Sequence, residues 1–226
     1  MPTKTFLIAA SKLWNPEIAR ELSAQTGHNF LLITKKEELT LETLKQLSPE
    51  KVFFPHWSYI IPKDIHSQYE CIIFHMTDLP YGRGGSPLQN LIIRGHKETK
   101  MSALRCVTDL DAGPIYLKKD LSLNGNANDI YRRATTIIQE MISEIIKDAP
   151  VPKEQIGEPV IFHRRTPAQS DISLCQNQQE IYDIIRMLDA DGYPNAYLQL
   201  PNGLKIDFSN AVLNGTELTA RVRISK

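Results

Sequence analysis

The chain has 226 residues, with 26 basic and 26 acidic side chains and a formal net charge of zero. Such a balance argues against a nucleic-acid coat or a membrane-surface protein, because both carry a basic excess. The length exceeds one typical unit of about 150 residues, so we expect one full domain and a smaller second one. No run approaches the ~18 apolar residues of a transmembrane helix, and the N-terminus shows no signal-peptide cleavage site. We therefore expect a cytoplasmic protein without a membrane partner.

Cysteine usage favours neither a metal centre nor a disulfide framework. Cys71, Cys106 and Cys175 lie far apart in the sequence and form no Cys-x-x-Cys pair. Buried reduced thiols are the better interpretation of this spacing. We expect no bound metal.

Compact apolar runs alternate with helical patterns in the first half of the chain. The runs that predict strands are residues 4–11, 30–34, 52–55 and 71–74. Helical spacing over residues 15–27 and 36–47 separates them. This alternation predicts an α/β fold, with a parallel sheet and helices on both faces. Ligands bind beyond the carboxyl ends of such strands, which points to His56-Trp57-Ser58 and to His75 onward.

The second half predicts a long helix, a connection and a small β-rich module. The predicted elements are a helix over 85–95, strands over 101–107 and 114–123, a helix over 126–147, a helix over 177–190, and strands over 197–200, 204–208 and 218–224. Asn202-Gly203 and Asn214-Gly215 occupy hairpin positions between the last strands. The proline-bearing stretch 149–159 is interpreted as a surface connection. We expect domains over residues 1–160 and 161–226.

Two segments carry the residues best suited to chemistry. In residues 74–92, a histidine after a buried strand precedes a glycine-rich loop with Arg83 and then a helix start, which suits the binding of an anion. In residues 107–117, Asp111 lies in a tight turn. Taken alone, each segment has an ordinary explanation, a turn with a solvated arginine in one case and an aspartate that caps its own backbone in the other.

Taken together, the two segments resemble the N-formyltransferase catalytic domain that uses 10-formyltetrahydrofolate. The matching positions are His75, Thr77, Leu79-Pro80, Arg83-Gly84, Pro87-Leu88-Gln89 and Leu110-Asp111-Ala112-Gly113-Pro114. The resemblance covers about residues 50–170, and residues 181–200 resemble the small β domain that follows the catalytic domain in some members. It implies a Rossmann-like catalytic domain and 10-formyltetrahydrofolate as cosubstrate, with no metal.

The resemblance also implies three groups of site residues. The catalytic group is His75, Asp111 and Thr77. The folate-binding group is Trp57, Ser58, Tyr59, Leu79, Arg83 and Asp109. The acceptor-binding group is Asp78, Gly84, Gly85, Arg164 and Arg165. A histidine that titrates near the working pH stabilises an oxyanion or moves protons, and a neighbouring aspartate takes a proton from the attacking amine.

One position departs from the family pattern. The family has an asparagine two residues before the histidine, and this chain has Ile73 there. The asparagine helps to hold the formyl oxygen, and loss of one such donor costs ~10²–10³ in rate. We expect protonated His75, Thr77 or backbone N–H groups to take over this stabilisation in a specialised subfamily.

The remaining choice is which amine is acylated. Residues 171–226 are acidic on balance, whereas a tRNA-binding domain is expected to be basic. The charge balance therefore favours a nucleotide-linked amino sugar and no nucleic acid. The loop from His75 to Gly85 resembles that of enzymes in pseudaminic-acid-type pathways. This resemblance implies UDP-4-amino-4,6-dideoxy-N-acetyl-altrosamine as the acceptor, used for surface polysaccharide or flagellin. Two alternatives stay open, a 10-formyltetrahydrofolate hydrolase and a non-catalytic sugar-nucleotide binder. A homodimer is compatible with the resemblance.

Overall fold

The computed structural model describes residues 2–12 and 15–226, so Met1, Leu13 and Trp14 of the N-terminal segment lie outside the described residues. The strands of the described part are β1 (Thr5–Ala9), β2 (Asn29–Ile33), β3 (Val52–Phe54), β4 (Cys71–His75), β5 (Tyr81–Gly84), β6 (Glu98–Arg105), β7 (Ile115–Ser122), β8 (Val160–Phe162), β9 (Ala196–Gln199), β10 (Lys205–Asn214) and β11 (Glu217–Ser225). The helices are α1 (Ile18–Thr26), α2 (Leu41–Leu47), α3 (Lys63–His66), α4 (Pro87–Ile93), α5 (Ala127–Asp148) and α6 (Gln178–Leu188). Within this part of the chain, none of the helices has the length and apolar character needed to cross a bilayer.

A mixed six-stranded sheet forms the centre of the fold, in the order β2-β1-β3-β4-β6-β7. β2, β1, β3 and β4 are parallel, and β6 runs antiparallel to β4. The three inner parallel strands, β1, β3 and β4, are short and mostly buried, as expected for strands covered on both faces. The predicted α/β formyltransferase-type fold is confirmed, with β6 as an antiparallel addition to the parallel part.

The second predicted helix begins later than its periodicity indicates. Residues Lys36–Glu38 form a single 3-10 turn, and α2 starts only after Thr40. The hydroxyl of Thr40 accepts a hydrogen bond from the N–H of Thr43 at 3.1 Å and so caps the helix. The capping residue marks where this helix begins. The leucine spacing does not show this start, because a longer helix would have the same spacing.

The chain divides into two compact units, each made of three segments. Unit 1 comprises Met1–Arg83, Lys100–Leu121 and Arg132–Ile161, and unit 2 comprises Gly84–Thr99, Ser122–Tyr131 and Phe162–Lys226. In unit 1, β1, β3 and β4 contribute to an apolar core that includes Leu7, Val52 and Phe54. The domain boundary near residue 160 that the sequence predicts stays a proposal.

Unit 2 contains the small β-rich module that the sequence predicts. β11, β10 and β9 form an antiparallel three-stranded sheet, and α6 packs on β10. The β10–β11 hairpin turns at Asn214-Gly215, where Gly215 has a φ of 58°. The buried guanidinium of Arg186 pairs with Asp183 at 2.6 Å. It also donates to the carbonyl groups of Leu123 and Gly125 at 2.7 and 3.0 Å.

Candidate active site

His75 ends β4 at the carboxyl edge of the sheet and is held by two oxygen atoms. Its Nε2 donates to the carbonyl of Gly82 at 2.7 Å, and its Nδ1 lies 3.5 Å from Oδ2 of Asp111. Both side chains are buried, with 8% of each residue exposed. A carbonyl only accepts hydrogen bonds, so Nε2 carries a proton, and the carboxylate of Asp111 faces the other ring nitrogen. The pair has the composition of an acid–base site.

The turn that carries Asp111 is shaped by two backbone features. Asp111 has a φ of 51°, in the left-handed region that few non-glycine residues adopt. At Gly113, a Cβ atom would lie only 1.8 Å from the carbonyl oxygen of Arg105. Glycine is therefore required for the turn to lie against the end of β6. Asp109 is exposed at the start of this turn, where its carbonyl accepts from the N–H of Ala112 at 3.3 Å.

Thr77 lies in the turn that follows His75 and is fully buried. Its hydroxyl donates to the carbonyl of Gly82 at 3.4 Å, the same oxygen that holds His75. Its own carbonyl accepts from the Ser102 hydroxyl at 2.7 Å. Thr77 therefore shares a hydrogen-bond acceptor with His75 and helps to hold the turn that follows it.

The two residues after Thr77 complete this turn. Leu79 is 1% exposed and belongs to the core. Asp78 is exposed and forms an ion pair with Lys118, whose ammonium group also donates to the Leu79 carbonyl. These surface contacts of Lys118 therefore hold the turn.

Arg83 faces Gln155, a residue that sequence reasoning did not single out. Arg83 donates from Nε and Nη2 to Oε1 of Gln155, at 3.0 and 2.7 Å. Gln155 lies in the stretch interpreted as a surface connection, and no periodicity or motif marks it. The pairing of Ile115 with Lys153 shows that this stretch runs beside β7, but no sequence pattern predicts that bridge.

The residues after β3 form an aromatic group. The rings of Trp57 and Tyr59 have centroids 5.3 Å apart, and 47% of Tyr59 is exposed. The indole Nε1 of Trp57 is buried and has no hydrogen-bond partner among the residues that the structure describes. The N–H of Ser58 donates to the Ser11 hydroxyl at 2.9 Å. An orphaned donor beside a partly exposed ring suits a heteroaromatic molecule with acceptor atoms, so these residues fit the pterin of a folate.

His56 also follows β3, but its surroundings differ from those of His75. Its Nε2 lies 2.9 Å from the hydroxyl of Thr135, and its φ is 51°. Burial and the nearby charge of Lys12 lower the pKa of His56 to about 4. The ring is therefore neutral at physiological pH.

Ile73 lies two residues before His75, which places both on the same face of β4. Its partly buried side chain packs against the apolar cluster that contains Val52, Phe54 and Cys71. The position where the family has an amide is thus hydrophobic and linked to the core of unit 1.

In unit 2, the glycine loop packs against the segment 162–165. A Cβ on Gly84 would lie 2.4 Å from the carbonyl oxygen of Phe162, and one on Gly85 would lie 2.7 Å from Cβ of Arg164. The N–H of Arg165 donates to the Ser86 hydroxyl at 3.1 Å. These glycines permit a close approach of two backbone segments.

Three arginines of unit 2 lack an acidic partner. Among the described residues, no carboxylate forms an ion pair with Arg94, Arg164 or Arg165. Burial and the charge of Arg94 lower the pKa of Arg165, whose Nε is buried without a hydrogen bond to any described residue. Arg94 lies over the ring of Phe162 at 4.5 Å and donates to Asn90. Uncompensated positive charge is therefore built into this part of unit 2.

Comparisons with known proteins identify the family of this chain. Residues 10–146 match the model described as formyl transferase, and residues 167–225 match the methionyl-tRNA formyltransferase C-terminal domain. A methionyl-tRNA formyltransferase structure from Clostridium thermocellum is 45% identical, covers 99% of each chain and has a TM-score of 0.95. Methionyl-tRNA formyltransferase of Thermodesulfovibrio yellowstonii is 30% identical over 180 residues, or 76% of this chain, which spans 58% of that relative's length. A sugar N-formyltransferase structure from a Shewanella species is 16% identical, covers 92% of this chain and 97% of that one, and has a TM-score of 0.70.

These findings correct the predicted acceptor. The expectations of a UDP-linked amino sugar, of pseudaminic acid and polysaccharide biosynthesis, and of no nucleic-acid partner are wrong. The relatives with high identity are methionyl-tRNA formyltransferases, whereas the sugar enzyme shares only the fold. The charge of residues 171–226 misled the prediction because that sum leaves out arginines of unit 2 that lie earlier in the sequence.

Two acidic residues of the tail are paired with basic residues that the same sum already counts. Asp183 pairs with Arg186, and Asp207 pairs with Lys205 and Arg223 at 2.8 and 3.2 Å. Arg94, Arg164 and Arg165 all precede residue 171, so the sum over the tail did not include them.

The expectation of an N-formyltransferase that uses 10-formyltetrahydrofolate is confirmed at the level of the family. The matched formyl transferase region includes both His75 and Asp111. The chain therefore belongs to the formyltransferase family.

Proposed function

We propose that this protein transfers the formyl group of 10-formyltetrahydrofolate to the amino group of methionyl-tRNA. The observation that carries the proposal is the 45% identity to a methionyl-tRNA formyltransferase over 99% of both chains. The His75–Asp111 pair supplies chemistry suited to that reaction, and the arginines of unit 2 supply charge suited to a phosphate backbone.

In this proposal, the residues after β3 bind the folate. Trp57 offers an unpaired indole N–H, and Tyr59 offers a partly exposed ring. Bound there, 10-formyltetrahydrofolate supplies an activated formyl group that an amine can attack.

The proton transfers fall to Asp111 and His75. An ammonium group has no lone pair, so the acceptor amine must lose a proton before or during attack. Asp111 takes up this proton directly or through water, and protonated His75 stabilises the negative charge that develops on the formyl oxygen. His75 then donates a proton to the departing folate nitrogen. Ile73 adds no hydrogen bond, so His75 and main-chain N–H groups provide the stabilisation that the family asparagine provides elsewhere.

Acceptor recognition falls in part to the three arginines of unit 2. Affinity for nucleic acid comes largely from neutralised phosphates, and each such contact increases the salt dependence of binding. Arg164→Gln and Arg165→Gln should raise the KM for methionyl-tRNA, leave kcat nearly unchanged, and reduce the salt slope of kcat/KM by about 1 each. The matched control is Arg20→Gln on α1, because Arg20 is exposed and already paired with Glu17 at 2.6 Å. Equal salt slopes in all four proteins would remove these arginines from the acceptor site.

The function itself is tested with a panel of acceptors. The protein is mixed with 10-formyltetrahydrofolate and, in separate reactions, methionyl-tRNA, free methionine and a UDP-4-amino sugar. Mass spectrometry then follows formylated products, free formate and tetrahydrofolate. Formyl-methionyl-tRNA as the main product supports the proposal, whereas formate release without transfer, or preference for the amino sugar, refutes it.

A further inference from the structure

The side chain of Gln155 connects the two loops that hold the catalytic pair. Its Nε2 donates to the carbonyl oxygens of Asp111 and Gly113, at 2.8 and 2.9 Å. Its Oε1 accepts the two N–H groups of Arg83 at 3.0 and 2.7 Å. A primary amide has two N–H donors and an oxygen with two lone pairs, so Gln155 uses its full hydrogen-bonding capacity.

These contacts close a ring around the catalytic pair. His75 donates to Gly82, and Gly82 is bonded to Arg83 in the chain. Arg83 donates to Gln155, which donates to the backbone of Asp111, and Asp111 faces His75 at 3.5 Å. All five residues belong to unit 1. Gln155 is the member of this ring that links the loop that holds His75 to the turn that carries Asp111.

Gln155 is itself placed by the backbone that precedes it. Lys153 and Ile115 exchange hydrogen bonds at 2.7 and 2.9 Å, which fixes this stretch in register with the start of β7. Gln155 is half-buried, whereas 90% of its neighbour Ile156 is exposed. The amide therefore reaches inward from an anchored segment.

The turn that Gln155 contacts requires an external support. Asp111 has a left-handed backbone conformation, which is strained for a non-glycine residue and persists only where the surroundings hold it. The carbonyl groups of Asp111 and Gly113 point out of the turn toward the amide of Gln155.

We propose that Gln155 is a positioning residue for formyl transfer, which fixes Asp111 opposite His75 without touching the reacting groups. This proposal rests on the proposed function, because it assigns Asp111 the proton transfer. A misplacement of about 1 Å in such a group lowers the rate ~10²-fold.

Three substitutions separate this role from a general contribution to stability. Gln155→Met keeps the length of the side chain and removes all four hydrogen bonds. Gln155→Glu keeps an acceptor for Arg83 but replaces the N–H donors with a carboxylate that repels the carbonyls of Asp111 and Gly113. The control is Gln139→Met, which removes a glutamine of unit 1 whose amide donates to Glu21 at 2.8 Å.

Steady-state kinetics give the first readout. Both substitutions at Gln155 should lower kcat ~10- to 100-fold while the KM values for folate and acceptor change less than about threefold. Gln139→Met should change neither. A protonated Glu side chain regains one O–H donor, so the kcat of Gln155→Glu relative to wild type should rise on acidification, and that of Gln155→Met should not. Wild-type kcat in a folded Gln155→Met protein overturns the proposal.

Hydrogen–deuterium exchange gives a readout that does not depend on activity. Peptides that cover residues 107–114 should exchange faster in both Gln155 variants than in wild type or Gln139→Met. If the wild-type protein formylates no acceptor, the proposed function fails and the exchange data still decide whether Gln155 holds the turn. Unchanged exchange over residues 107–114 in both variants overturns the proposal, even if one of them melts at a lower temperature.

Discussion

His56 and His75 follow neighbouring parallel strands of one sheet, yet their surroundings suit them to different tasks. His56 follows β3 and bonds to the hydroxyl of Thr135, and burial with the charge of Lys12 lowers its pKa to about 4. His75 ends β4 between the carbonyl of Gly82 and the carboxylate of Asp111. A cation beside His56 opposes protonation of that ring, whereas a carbonyl and a carboxylate face the two nitrogens of His75.

This difference shows why the position of a histidine in the fold does not define its chemistry. The rule that ligands bind at the carboxyl ends of strands selects both residues equally. Only the groups that face each ring separate a neutral structural histidine from an acid–base one. The predictions below test this distinction.

The largest effect is expected at the carboxylate that faces His75. Asp111→Asn removes the proton acceptor and the negative charge, so kcat for formyl transfer should fall ~10²–10⁴-fold while the protein stays folded. Asp120→Asn is the control, because Asp120 is exposed and pairs with Lys100 on the neighbouring strand. Activity of Asp111→Asn within a few-fold of wild type would remove this carboxylate from the mechanism.

A smaller loss should follow from displacement of the same turn. Gly113→Ala puts a Cβ atom 1.8 Å from the Arg105 carbonyl, so the backbone must move and kcat should fall ~10²-fold. Gly27→Ala at the end of α1 meets no atom within 4 Å but has a strained φ of 71°. That control should lower the melting temperature without lowering kcat. A similar ratio of kcat loss to stability loss in the two variants would contradict a specific role of the turn.

The smallest effect concerns His56 and appears in stability. Its pKa of about 4 in the folded protein lies below the ordinary 6.5, so the unfolded chain binds the proton more readily. The stabilisation from neutral His56 is complete above pH 6.5 and declines as the pH falls toward 4. The free energy of unfolding should drop by about 2 kcal/mol between pH 6.5 and 5 from this residue.

His56→Asn isolates this contribution, since asparagine tolerates the left-handed backbone at this position. Urea unfolding at a series of pH values should show a shallower acid decline in the variant than in wild type. Parallel declines would mean that His56 is not the group that titrates.

Much of the fold follows from the sequence, because apolar periodicity and turn residues are local signals. The strand runs 52–55 and 71–74 and the hairpin at Asn214-Gly215 match β3, β4 and the β10–β11 turn. α3 and the β5–β8 ladder have no counterpart in the predictions, since a four-residue helix and a three-residue strand leave little periodicity.

The active site also contains residues with a local sequence signal and a residue without one. His75 and Asp111 lie in segments whose motifs make them visible, and their predicted roles stay predictions. Gln155 has no local signal, because its importance arises from contacts with residues 72 and 44 positions away along the chain. The acceptor was predicted wrongly since a sum of charges over residues 171–226 leaves out Arg94, Arg164 and Arg165, which precede that range in the sequence but belong to unit 2.

The measurement that tests the central claim most directly is the single-turnover rate of formyl-methionyl-tRNA formation at pH 7 by His75→Asn and His56→Asn. The two variants make the same change at the ends of adjacent strands, and circular dichroism confirms that each is folded. We expect a loss of at least ~100-fold for His75→Asn and a rate within about threefold of wild type for His56→Asn. Equal losses in both variants, or a larger loss for His56→Asn, would contradict the assignment of His75 as the acid–base histidine.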